Sequence, residues 1–259
     1  MHPVVARISI APVKGLGLSH PDEVEVAPYG VVGDRRYAMV DDHGRLANGK
    51  RFGPLVRVSS SWSDSPERLE LLLPDGTTVG GEVELGDPVE AVFYGSPRAG
   101  RLVLGPYADA LSELAGERLR LMRMPDGTGT DRPDEGAVSL QSVAALESLA
   151  TAAGLDDAVD GRRFRMTFTL DGVAAYDEDG WMGRRVRVGG AVIVPEGNIG
   201  RCAVTTYDPD TGVKSLDTLK LLATTRGHLP STEPLPFGVH ARVAEPGVVR
   251  VGDPVSFDD

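Results

Sequence analysis

A single cysteine, Cys202, stands among 259 residues. It follows Arg201 within the run Arg-Cys-Ala-Val-Thr-Thr-Tyr-Asp-Pro-Asp-Thr-Gly, 201–212. A thiol with no partner thiol serves as a small core hydrophobe, a nucleophile or a metal ligand. Alternation predicts a strand here, with Cys202, Val204 and Thr206 on one face and Arg201, Ala203 and Thr205 on the other. Metals bind the thiolate, and basic neighbours favour it. Arg201 is such a neighbour, so ligation and plain burial both stay open. Asp208 and Asp210 have the chemistry to relay protons, but Asp-Pro-Asp-Thr-Gly also spells a turn, and the turn is the preferred reading.

Other chemistries fail on spacing. Gly44, Gly49 and Lys50 fall at phosphate-loop intervals, yet Arg51 stands where a magnesium-binding Ser or Thr belongs, and Pro54 blocks the helix such a loop must open. His20 takes the third-glycine place of the dinucleotide pattern in Lys-Gly-Leu-Gly-Leu-Ser-His. His2, His20, His43, His228 and His240 are scattered, without the helical spacing of a zinc site. No Gly-x-Ser-x-Gly elbow occurs.

The formal charge is −11, which argues against nucleic acid or an anionic membrane surface as partner. Residues 32–60 reverse that sign locally: Arg35, Arg36, Arg45, Lys50, Arg51 and Arg57 face only Asp34, Asp41 and Asp42, a balance of +3. Salt screens charge over roughly 8 Å, so a small bound anion responds to such a patch more than to the total. One cysteine also excludes a disulfide framework and any multi-cysteine metal site, pointing to a reducing cytoplasmic setting. Neither a signal peptide nor a membrane-spanning run is visible.

The elements that must position these residues are mostly strands. Short alternating runs bounded by Gly, Pro and Asp recur, among them 5–13, 36–41, 68–81, 118–124, 164–170, 185–194 and 248–257, with Asp75-Gly76 as a hairpin corner. Three peripheral helices are expected: 105–116 with Pro106 in its first turn, 139–154 with Ser139 as cap, and 215–227. The fold class is therefore mainly β, as two β-barrel-like domains, 1–124 and 137–259, joined by the Gly-, Pro- and Asp-rich segment 125–136. No coiled coil or spare apolar stripe is evident, and a monomer is expected.

Several segments together resemble the MOSC-domain family, named for the C-terminal part of the molybdenum cofactor sulfurase; its members include the mitochondrial amidoxime-reducing component and bacterial relatives. The resemblance is carried by 200–212 and by Pro-Phe-Gly-Val-His-Ala-Arg-Val-Ala-Glu-Pro-Gly-Val-Val-Arg-Val-Gly-Asp-Pro-Val, 236–255. Ile-Ser-Ile-Ala-Pro-Val-Lys-Gly-Leu-Gly-Leu (8–18) and 30–46 resemble the β-barrel that precedes the domain, and 136–150 and 160–172 its intermediate blocks. The resemblance implies a molybdenum cofactor, a metal held by a cysteine sulfur and by the dithiolene of a pterin with a phosphate tail, lying between the two domains. Cys202 matches the ligand. Lys14, Arg35 and Arg165 match the tail-binding positions, with Arg36, Lys50, Arg51, Ser142 and Arg201 as further candidates. Two positions depart: Thr167 replaces an asparagine of the amidoxime-reducing relatives, and Gly15 a serine. The implied activity is reduction of N-hydroxylated, N-oxide or S-oxide small molecules, with electrons from an external donor protein. A persulfide carrier on Cys202, or a non-catalytic pterin binder, are the alternatives.

Overall fold

The computed structural model describes residues 2–128, 137–231 and 233–257. The fold is mainly β, with three α-helices among the described residues, as expected. A seven-stranded sheet runs Val4–Ile8, Phe168–Asp171, Val138–Ser142, Pro236–Glu245, Ala191–Gly200, Val186–Val188, Val255–Phe257. Its two edges meet: Val5 N donates to Asp253 O and Val255 N to Pro3 O, both at 2.9 Å, so the sheet nearly closes into a barrel. Alternation explains its filling, because Val138 and Leu140, Phe168 and Leu170, and Val239 and Ala241 all enter one apolar core.

The other large sheet runs Leu85–Phe93, Ser96–Val103, Leu119–Arg123, Tyr37–Asp41, Val13–Lys14, with Leu46–Ala47 pairing beside Tyr37–Asp41. A three-stranded sheet, Ser59–Ser63, Arg68–Leu72, Thr78–Glu82, shares its core through Leu69 and Leu71, which pack with Tyr37, Met39 and Leu121. The expected hairpin at Asp75-Gly76 forms, Leu72 pairing with Thr78, and Gly76 supplies the positive φ of 88° that the corner needs.

The pairing does not stop at the segment 125–136. Strand Val4–Ile8 pairs antiparallel with Phe168–Asp171, and Glu23–Ala27 pairs with Gly247–Arg250. Both early strands thus belong to the β-structure of the later half. Of the segment itself, 129–136 lie outside the described residues, while Asp126 takes ion pairs at 2.7 Å from Arg36 and 2.8 Å from Arg123.

Four elements differ from the sequence reading, and one of the expected helices matches it closely. Helix α1 (Tyr107–Ala115) begins just after Pro106 and ends on left-handed Gly116, close to expectation. Helix α2 (Val143–Ala153) starts four residues later than predicted and is capped by Ser142, not Ser139, because 138–142 is taken into the barrel as a strand. Helix α3 (Thr218–Arg226) is capped by Asp217 rather than opening at Ser215. The strand expected over 164–170 survives only from Phe168, since Arg165 adopts a left-handed φ of 56° after a 3-10 turn. The strand expected over 201–206 is likewise a 3-10 helix from Ala203 to Thr206.

Candidate functional site

The cysteine ends one element and opens the next. Strand Ala191–Gly200 runs out at Arg201, and Cys202 is the extended residue that starts the 3-10 turn, so its side chain leaves the sheet where the strand stops. Glu233 and Pro234 pin this place: Glu233 accepts from Gly200 N at 2.7 Å and Pro234 O accepts from Arg201 N at 3.1 Å. The Arg201 guanidinium donates to Phe164 O at 3.0 Å and to Phe237 O from Nε at 2.9 Å. It staples three segments together beside the thiol.

Cys202 lines a cavity of about 560 Å³ between the barrel and the second large sheet. The barrel side contributes Ser139, Phe164–Thr167, Ile199–Cys202 and His240, and the other side Lys14, Gly15, Asp34, Arg35, Asn48–Lys50 and Tyr94. Five basic side chains (Lys14, Arg35, Lys50, Arg165, Arg201) and one carboxylate, Asp34, meet there. A local balance of +4 thus sits inside a chain of −11.

Each cation is placed by local structure. Lys14 closes the two-residue strand that pairs parallel with Tyr37–Asp41, and it is only 7% exposed. The chain then turns at Gly15, whose φ is +92° and where any Cβ would lie 3.3 Å from Asn48 Cα. That crowding accounts for glycine at this departure from the family pattern. Arg35 pairs with Asp34, whose other oxygen accepts from Ala11 N at 2.7 Å. From there Arg35 Nη2 reaches across the cavity to Arg165 O at 3.0 Å. Arg35, Arg165 and Tyr94 are three of the five described non-glycine residues with positive φ. Strain of that kind persists where surrounding structure holds it, most often at sites of function. Thr167, 2% exposed, is held by Ser139: its N–H donates to Ser139 Oγ at 2.9 Å, and its own Oγ1 accepts from Ser139 N at 3.2 Å.

Three sequence candidates are engaged elsewhere. Arg36 lies over Trp62, 5.0 Å from the ring centre, and donates to Glu67 at 2.7 Å. Glu67 also accepts from Arg123 and Tyr37, and these donors draw its carboxyl down to about 2 in spite of burial. Arg51 pairs with Asp41 at 2.8 Å and with Glu117. Ser142 caps helix α2 and donates to Glu178 at 3.0 Å. None of the three lines the cavity. Asp208 and Asp210 do not line it either; Asp208 accepts from Asp210 N and Thr211 N and so closes the turn, while Asp210 takes both guanidinium nitrogens of Arg162. Sequence reasoning missed Asn48, Tyr94, Ser139 and His240. Only Tyr94 left a trace, as an aromatic before Gly95 where a hairpin turn favours Asn-Gly.

The profile described as the MOSC domain matches residues 127–256, and the one described as the MOSC N-terminal beta barrel domain matches 2–92. The chain belongs to the MOSC family. This MOSC protein is 26% identical to the mitochondrial amidoxime-reducing component 1 of Xenopus laevis, over 97% of this chain and 81% of that protein. It is 24% identical to the human mitochondrial amidoxime reducing component 2, over 97% and 82%. Among solved structures, the YUAD protein of Bacillus subtilis superposes with a TM-score of 0.45 at 12% identity, covering 98% and 94% of the two chains. Among the described residues, no helix is long and apolar enough to cross a membrane, and no group of three or more His, Cys, Asp and Glu side chains is placed to hold a metal ion.

Cys202 is one thiolate for a metal, and a single protein ligand fits an ion that brings most of its own ligands. A single thiol suits the one protein bond such a metal needs, and the cations suit an anionic tail. The volume lies within the roughly 300–1,000 Å³ of small-molecule and cofactor sites.

Proposed function

We propose that this MOSC protein is a molybdenum-pterin-dependent oxidoreductase that removes oxygen from N-oxygenated small molecules. The observation that carries the reading is the convergence of the lone thiol and five cations on one cavity, in a chain whose relatives are named amidoxime-reducing components. The reaction on an amidoxime breaks the N–O bond: two electrons and two protons enter, and the products are the amidine and water. When bound, the cofactor supplies a two-electron metal centre at the cavity wall.

The chain's own residues divide the remaining work. Cys202 Sγ ligates the metal. Lys14, Arg35, Lys50 and Arg165 hold the phosphate tail by charge-assisted hydrogen bonds, each roughly twice as strong as a neutral one. Thr167 and Ser139 offer hydroxyls, and Asn48 an amide, to the pterin edge. His240, the imidazole of the cavity wall, delivers a proton to the departing oxygen. An external donor protein brings the electrons, and the cavity takes the substrate from solvent.

The test is elemental analysis for molybdenum, with fluorescence of the oxidised pterin, on protein from a cofactor-producing host. Near-stoichiometric metal and pterin are expected in the wild type, together with reduction of an amidoxime by an artificial electron donor. Cys202→Ser is expected to lose the metal and at least 100-fold of the activity, an effect on the order of 3 kcal/mol or more. Absence of both metal and pterin, in a host that loads another molybdoenzyme, overturns the reading, as does full activity in Cys202→Ser. A sulfur-sized mass adduct on Cys202 would then identify a persulfide carrier.

A further inference from the structure

The hairpin formed by Leu85–Phe93 and Ser96–Val103 is paired to its last residues, Phe93 opposite Ser96. Tyr94 and Gly95 alone make the turn, with φ of 52° and 89°. A two-residue turn with both φ positive is met without strain by Asn-Gly or Gly-Gly, and a β-carbon bearing a large ring is among the worst choices. Yet Tyr94 is there, 70% exposed, the most exposed large hydrophobic side chain among the described residues. Its ring is also on the cavity: it lines the same space as Cys202 and stands 5.5 Å from Lys14 Nζ.

The other rings of the cavity are differently placed. Phe164 is 2% exposed and stacked on Phe237 at 4.1 Å between centroids, and Tyr29 is half-buried. Of the cavity cations Lys14 is buried, at 7% exposure, Arg35, Arg165 and Arg201 are half-buried and Lys50 is exposed, whereas Tyr94 stands at the mouth where a neutral molecule enters from water. We infer that Tyr94 is the specificity-determining residue of the site: its ring stacks on planar, unsaturated substrates and turns their N–O end toward Cys202. The inference rests on the reading of the cavity as a site for N-oxygenated compounds and adds the class it prefers, aromatic over saturated.

The test uses two neutral amidoximes of matched size, one bearing a phenyl and the other a cyclohexyl ring. Binding to the cofactor-loaded protein is measured by calorimetry without reductant, so that no turnover is needed, and reduction is measured separately. Tyr94→Asn removes the ring and suits the turn, so the variant should melt no lower than the wild type. The wild type should bind the phenyl compound roughly three- to tenfold more tightly than the cyclohexyl one, as aromatic stacking allows. Tyr94→Phe should keep that preference and Tyr94→Asn should abolish it, with molybdenum content equal in all three.

Preference retained in Tyr94→Asn overturns the inference. So does loss of pterin in that variant, which would make the ring a cover for the cofactor, or no binding of either compound to the wild type. If the phenyl preference follows Tyr94 while neither compound is reduced, the ring's selecting role stands and the proposed reaction is what fails.

Discussion

A cysteine that holds a metal needs a backbone that cannot swing. The carbonyl of Cys202 accepts from both Thr205 N and Thr205 Oγ1 at 3.1 Å, and that hydroxyl meets Thr218 Oγ1 at 2.5 Å at the start of helix α3. The buried threonine pair thus fixes the turn from which the thiol projects. Opposite it, Lys14 is a point charge held in place by a sheet. Replacing it as Lys14→Met keeps the stem and removes the charge. Because a hydrogen bond to a charged group contributes about 1.5–3 kcal/mol, pterin retention should weaken roughly 10- to 100-fold. The check is pterin fluorescence per protein after dialysis, and unchanged retention would remove Lys14 from the tail clamp. At this scale, the sequence was legible where a motif ties a residue to its neighbours, as with Cys202, Lys14 and Arg165. It was not legible where an arginine had to choose a partner. Arg36 and Arg51 read as anion binders from local charge, but Glu67 reaches Arg36 from 31 residues away, and Arg51 divides between Asp41, 10 residues away, and Glu117, 66 residues away. His240 and Asn48 reach the cavity only through pairing and loop packing that no local pattern records.

Ser142 serves two elements at once, ending a barrel strand and capping helix α2. Its partner Glu178, 1% exposed, lies on the 3-10 helix Asp177–Trp181 and accepts from both Ser142 N and Oγ. Burial, helped by nearby Asp179 and opposed by the bonds from Ser142, pushes this carboxyl up to about 7. A folded value above the ordinary carboxylate range means that folding favours the protonated form. The stability it brings is complete below about pH 4.5 and is lost as pH rises through about 7. The loss should be on the order of 3 kcal/mol between pH 5 and 8. Urea unfolding across that range should show the decline in the wild type and a flatter profile in Glu178→Gln; equal slopes would refute the assignment. Elements were legible where turn chemistry was explicit, as at Asp75-Gly76 and Gly116. The start of α2 was misread because Leu140 satisfies helical spacing toward 143 and 144 and strand alternation with Val138 alike. Barrel pairing with Phe168 and Val239 decides between them, and that information is long-range.

At the scale of the whole molecule, two early strands complete the β-structure of the later half. A fragment of residues 137–259 alone lacks Val4–Ile8 and Glu23–Ala27, which leaves Phe168–Asp171 paired on one side only and Gly247–Arg250 without its strand partner, and strips Val5, Ile8, Val24 and Val26 from the core. Four buried aliphatic side chains contribute about 1.5–3 kcal/mol each, comparable to the whole stability of a domain. The fragment should give poorly dispersed amide resonances, and co-expression with residues 1–136 should restore a stable complex; a well-dispersed fragment would show that the halves fold independently. Composition marked where the chain changes character, at 125–136, but could not show that the sheets reach back across it. The segregation of charge has a kinetic side as well. At low ionic strength, where charges act well beyond the roughly 8 Å of physiological salt, a distant anionic ligand meets a protein of net −11 and is repelled; within the cavity it meets +4 and is held. Added salt therefore speeds its arrival and shortens its stay, so the rate of loading and the lifetime of the loaded state respond to ionic strength in opposite directions.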